Sequence, residues 1–232
     1  MRSAGRLLLP LGAVLAFLYL PIAVLVVMSF NASGTPYVWT GFTLDWYASL
    51  ARNEPIIAGL GNTLVVAVGA TIGSVILGTP LAIGLHRHLR SSLLDALATG
   101  PAIAPDIVLA IGLLMWYALT GFGLALHSVL LAHMVFGTAF VAAVVRTRLG
   151  HVDPSLEEAS RDLGATPVAT FFLVTIPSLA PAIVAGALLV FTLSLDEFVI
   201  AFFTDGPKTP TLPIVVRSEE HTSELQSHLN LV

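Results

Sequence analysis

The chain has 232 residues, 56% of them hydrophobic and only 10% charged, with a mean hydropathy of +0.91. A water-soluble domain carries about a quarter charged residues, so there is too little polar surface here to cover one, and the expected solvent is a bilayer. The net charge of −4 comes without a basic stripe, which argues against nucleic-acid binding; the absence of cysteine excludes disulfides and thiolate metal sites.

A membrane-spanning helix needs about 20 apolar residues, so the length allows five or six spans in a single all-α bundle. Arg2 and Arg6 precede a long apolar run with no small-residue cleavage site, which reads as a retained signal anchor. The first span is predicted over Leu7 to Ser29, with Pro10 and Pro21 tolerated because neighbouring groups re-satisfy the freed carbonyls. Trp39, Trp46 and Tyr47 follow in a mixed segment and are expected at the membrane–water boundary. The second span is predicted from Asn62 to Leu85, with Gly69, Gly73 and Gly78 permitting close helix packing. A basic loop with His86, Arg87, His88 and Arg90 leads to a third span over Pro101 to Leu119, where Trp116 and Tyr117 are expected at the outer boundary. After a turn at Gly121 and Gly123, the fourth span runs from Leu124 to Val145. His127 and His133 lie on different faces of it, so no metal site is predicted. A polar stretch precedes the fifth span, Pro181 to Phe203, and a Pro/Gly-rich loop from Asp205 to Pro213. Arg2, Arg6, Arg87, Arg90, Arg146, Arg148 and Arg161 fall on one side of this topology, against Arg52 and Lys208 on the other. The asymmetry predicts a cytoplasmic N-terminus and a cytoplasmic loop after the fourth span.

That loop reads as two short helices with a corner. Asp153 caps the first, with Pro154 at the first helical position, where its missing N–H costs nothing. Gly164 ends this helix in the left-handed conformation, Thr166 caps a second helix starting at Pro167, and Pro177 is expected to close it. The order Glu158-Ala159-Ser160, three residues, Gly164, nine residues, Val174-Thr175-Ile176-Pro177 resembles the EAA motif of ABC importer permeases. It departs from that motif by Ser for the second Ala, Val for Ile and Ile for Leu. The resemblance implies that this loop inserts into a cleft of an ATP-hydrolysing subunit. Glu158 and Gly164 would then be the coupling residues, with Ala159, Ser160, Val174, Ile176 and Pro177 completing the motif and Arg161 pairing with Glu158 on one face.

The stretches Trp39 to Tyr47, Pro101 to Val108, Phe191 to Ile200 and Thr211-Leu212-Pro213 narrow the resemblance to permeases of the spermidine/putrescine type. It implies a type I importer fold working with a second permease, two ATPase subunits that bind ATP and magnesium, a solute-binding protein and the lipids of a bacterial inner membrane. The chain itself is expected to carry no cofactor and no catalytic residue; it has no Walker A pattern. Asp106, Asp196 and Glu197 sit in or at the edge of apolar spans, where ionisable groups are costly and face a cavity or a partner. Two readings stand: carboxylates lining a path for polycations, or polar anchors between helices or subunits. Adjacent helical residues point about 100° apart, so Asp196 and Glu197 are not expected to share one narrow pore. Other solutes such as iron(III) or thiamine fit the same scaffold, and a channel working without ATP is the more distant alternative.

Residues 217–232 break these patterns. Arg217-Ser218-Glu219-Glu220-His221-Thr222-Ser223-Glu224-Leu225-Gln226-Ser227 resembles the translation of a common short-read sequencing adapter, and Asn230-Leu231-Val232 fits the same frame. The expectation is a permease domain over 1–216, short of the sixth span that the resemblance implies, followed by a non-native tail. One long DNA read through the locus tests it: a genomic Arg217–Val232 followed by a stop codon would sink the idea.

Overall fold

The computed structural model describes residues 4–33, 38–87 and 91–219, and side chains from residue 10 onward. The expectations placed on Arg2, Arg6, His88, Arg90 and most of the tail lie outside these residues and side chains. The described chain is helical, with one isolated antiparallel bridge, Asn31 to Phe42. It divides into two compact units at Ile57/Ala58.

The first unit holds α1 (Ala4–Met28), a folded elbow and α2 (Asp45–Leu50). Helix α1 is apolar all round and buries none of its apolar window, so it requires lipid or protein around it. The elbow is organised by Asn31. Its amide donates to the Val38 carbonyl at 2.7 Å and accepts from the Thr40 N–H at 3.0 Å, while the Trp46 indole donates to the Asn31 carbonyl at 2.8 Å. Phe30 stacks on Phe42, with centroids 5.5 Å apart. Trp39, Trp46 and Tyr47 are exposed.

Helix α3 (Glu54–Arg87) carries the chain into the second unit. Its 34 residues span about 50 Å, longer than the roughly 30 Å hydrocarbon layer, so it projects beyond the apolar region. It runs parallel to α6 (Leu126–Leu149). Gly69 faces Leu130, Gly73 faces Met134, and Gly78 lies against the Thr138 carbonyl and Val141, which confirms the close packing expected of these glycines. Helix α9 (Ile176–Asp196) crosses α6 antiparallel: Val190 meets Gly137, Gly186 meets Val141, and the Arg148 Nε donates to the Ser178 carbonyl at 3.3 Å. The core at this end gathers Ala82, Val141, Val145, Leu149, Leu179 and Val190.

Three departures from the predicted elements matter. The third span is broken: α4 (Ser92–Ile103) and α5 (Asp106–Thr120) meet at 108°. Pro105 explains the break, because a residue before proline is forced out of the helical region, and Ala104 is extended at ψ 139. Second, Pro177 does not close the second loop helix. The chain runs on from α8 (Pro167–Thr170) through a π-turn at Phe171–Thr175 into α9, with Pro177 in its first turn. The π-turn absorbs the missing N–H, and the Ser178 hydroxyl donates to the Val174 carbonyl at 2.7 Å. Third, Tyr117 is no boundary residue. It is 1% exposed, with its hydroxyl donating to the Ser128 carbonyl at 2.9 Å, while Trp116 stays exposed. Among the described residues, four helices are long and apolar enough to cross a membrane, or five if α4 and α5 count as one span.

Candidate functional site

The loop between α6 and α9 folds as its sequence dictates. The Asp153 carboxylate accepts from the Ser155 N–H at 2.9 Å, which caps α7 (Ser155–Asp162) and holds the Asp153 carboxyl below the usual carboxylate range. At the other end Gly164 stands at φ +88. Its N–H donates to the Arg161 carbonyl at 2.8 Å and the Ala165 N–H to the Ser160 carbonyl at 3.1 Å, the two bonds of a Schellman stop. Thr166 then caps α8, its hydroxyl accepting from the Ala169 N–H at 3.2 Å.

Two adjacent glutamates take different faces of α7, about 100° apart. Glu158 is exposed, as are Ala159 and Arg161, and no described residue bonds its carboxylate. The expected Glu158–Arg161 pair is absent among the described residues. The charge of Arg161 acts instead on Glu157, one helical turn away. Glu157 faces inward. Its carboxylate binds the Arg87 guanidinium at the end of α3 through two bonds, of 2.9 and 2.5 Å, and accepts from the Thr175 hydroxyl at 2.5 Å. The Arg87 hydrogen bonds hold the Glu157 carboxyl below the usual range, against a smaller opposing effect of burial. The motif reading missed Glu157; the only signal for it was Arg87 in the preceding basic loop. Ser160, the departure from the motif's second Ala, has its hydroxyl 3.1 Å from that of buried Thr170. Val174 and Ile176 are half-buried and Pro177 exposed. The outer side of the loop is apolar: Leu163 is 89% exposed, with Leu156, Val168, Phe172 and Leu173 also open. A second ion pair, Arg146 to Asp95 at 2.7 Å, ties α6 to α4 at the same end of the bundle.

Asp106 stands at one helix break, and Asp196 and Glu197 stand at another. Asp106 opens α5, where a carboxylate complements the helix N-terminus. Asp196 ends α9, and α10 (Val199–Thr204) begins three residues later. Glu197 was expected to continue the helix, about 100° from Asp196. It lies in extended backbone at ψ 108, because its side chain turns to accept from the Ile200 N–H at 2.9 Å and so caps α10. Glu197 is half-buried and the two aspartates are exposed, and Ala110 of α5 packs with Ile200 of α10, so the two breaks lie on neighbouring helices. Broken backbone at membrane depth is tolerated only where it is buried in protein or lines a cavity. Behind the break, His133 of α6 is buried and hydrogen-bonded to the Ser194 hydroxyl at 2.7 Å. His127 packs edge-on against Phe122.

Residues 9–226 match the family described as the binding-protein-dependent transport system inner membrane component. The chain belongs to that family. It is therefore a transport component of the inner membrane and not an enzyme. It is 40% identical over 211 residues to the putrescine transport system permease protein PotI of Escherichia coli (strain K12), covering 87% of this chain and 75% of that protein. To the spermidine/putrescine transport system permease protein PotC of the same strain it is 35% identical over 218 residues, 92% of this chain and 83% of that one. Among solved structures, the inward-facing MetNI methionine ABC transporter superimposes with a TM-score of 0.57 at 17% identity, over 81% of this chain and 94% of that one. An amino acid ABC transporter crystallised with histidines gives 0.57 at 21%, over 80% and 86%. These likenesses establish the type I permease fold. The family match continues past Val216, and residues 212–219 are helical, with the Arg217 guanidinium 5.5 Å from the centre of the Phe198 ring.

Proposed function

We propose that this permease is one of two membrane subunits of an ATP-driven importer for putrescine or spermidine. Its N-terminus lies in the cytoplasm, α7 docks on the ATPase subunit, and ATP and magnesium are bound by that partner. The observation that carries the substrate class is the placing of Asp106, Asp196 and Glu197 at two helix breaks on neighbouring helices. Polyamines are polycations, and carboxylates at a discontinuity at membrane depth supply both counter-charge and an opening in the helix wall. The names of PotI and PotC point to the same solutes. The docking assignment draws on the projecting, capped α7 with exposed Glu158 and an apolar outer side around Leu163.

The alternating-access cycle follows from these parts. ATP closes the ATPase pair, α7 moves with it, α9 tilts, and the paired breaks open to the outside. The test is uptake into proteoliposomes carrying the whole complex and its binding protein. Labelled putrescine or spermidine is expected to enter only with ATP inside the compartment that the ATPase faces. Asp196→Asn is expected to slow uptake, while Glu197→Gln, which keeps an oxygen to cap α10, is expected to give a distinct and milder defect. Uptake of iron(III) or thiamine instead, polyamine flux without ATP, or two fully active variants would overturn the corresponding part of this reading.

A further inference from the structure

The loop holds a second set of contacts that docking does not use. On α7, Glu157 and Ser160 are three residues apart and share the inward face. They meet Thr175 and Thr170, both buried, on the helix that becomes α9. In a regular α-helix, residues five apart point about 140° away from each other. Here the segment between them is the π-turn Phe171–Thr175, and bonding to the fifth residue brings Thr175 back nearly into line with Thr170. The π-turn therefore sets two hydroxyls on one side, opposite the two polar groups of α7. Arg87 closes the arrangement from α3 through its two bonds to Glu157.

We propose that this arrangement is a mechanical clamp that carries the movement of α7 into α9 and α3, with Glu157 as its positioning residue. Without it, α7 is joined to α9 only through the Gly164 corner and α8, and a push from the partner would bend the corner rather than tilt the span. With it, α7 and the base of α9 move as one body, and the displacement reaches the Asp196–Glu197 break at the far end of the same helix. The adjacent glutamates divide the work: Glu158 is presented outward and Glu157 is held inward. The proposal rests on the reading of α7 as the docking helix.

The test uses the full complex in proteoliposomes and the ratio of solute transported to ATP hydrolysed. Glu157→Gln and Thr175→Val are expected to keep the ATPase bound and hydrolysing, while the ratio falls roughly fivefold or more, the low end of couplings between linked sites. The charge exchange Arg87→Glu with Glu157→Arg is expected to recover part of the ratio lost in either single variant. A merely structural weakening would lower yield and both activities together and leave the ratio alone. Wild-type ratios in both Glu157→Gln and Thr175→Val overturn the clamp. Should Glu157→Gln fail to accumulate, the near-isosteric Thr175→Val decides by itself. Failure of the docking reading is separately visible: Leu163→Cys in an otherwise unaltered chain would then not cross-link to the ATPase subunit.

Discussion

Gly164 shows how much one residue can hold. At φ +88 it occupies a conformation that costs a side-chain-bearing residue about 1–2 kcal/mol. A Cβ built there meets nothing within 4 Å, so the cost of substitution is conformational and not steric. Gly164→Val is accordingly expected to leave insertion into the membrane intact and to abolish co-purification of the ATPase. Gly164→Asn, which tolerates the left-handed region, should retain it. Equal yields of the partner with both variants would mean that the corner is not required for docking. The glycine was legible in the sequence because a Schellman stop has a local signature. The role of Glu157 was not, since its partners Arg87 and Thr175 lie 70 and 18 residues away. A motif read along the chain sees neither.

At the scale of elements, caps were legible in the sequence, whereas the effect of each proline was not, because the same residue can end a helix, bend the chain or sit in a first turn. Asp153, Thr166 and Gly164 bound their helices as expected. Pro177 did not, because a π-turn and the Ser178 hydroxyl accommodate it within a continuous helix. Pro105 did more than mark an entry, since it turns the chain by 108° between α4 and α5. The element that combines most of these features, α7 against the π-turn, has a defined pH response. Glu157 has a folded-state pKa below its ordinary value of 4.5, set first by its Arg87 hydrogen bonds, while Arg161 adds to the same effect. A depressed carboxylate contributes stability that is present above the unfolded value and lost as pH falls through the folded one. The mobility of a spin label on Leu163→Cys is therefore expected to stay constant from about pH 8 to about pH 5 and to rise only in more acid solution. In Glu157→Gln the label should already be mobile at neutral pH. A label equally restrained in both chains would show that the carboxylate does not hold α7.

At the scale of the whole molecule, the first, second and fourth predicted spans each have one helix while the third and fifth are broken, and the low charge content alone was enough to name the solvent. What the spans could not reveal is how they are interrupted. Asp106 and Glu197 are 91 residues apart in sequence, and the breaks at Ala104–Pro105 and Glu197–Phe198, on helices that pack together through Ala110 and Ile200, are not visible in hydropathy. The proposed orientation of the bundle rests on charge. Arg87, Arg146 and Arg148 sit at the end where α3 and α6 finish, next to the start of α9. The opposite end is closed by the Asn62 amide on the Pro210 carbonyl at 3.0 Å, the Leu212 N–H on the Thr63 hydroxyl at 2.8 Å, and the Ser128 hydroxyl on the Thr204 carbonyl at 2.8 Å. On the proposed orientation the arginine end faces the cytoplasm, as the positive-inside rule favours. Because the chain contains no cysteine, single cysteines report topology without a background. Leu163→Cys and exposed Pro207→Cys mark the two ends. A membrane-impermeant maleimide added to spheroplasts is expected to label position 207 and not 163, and inverted vesicles should give the reverse. Labelling of 163 from outside would place α7 on the side where no ATPase can reach it, and the importer mechanism would fall with the orientation.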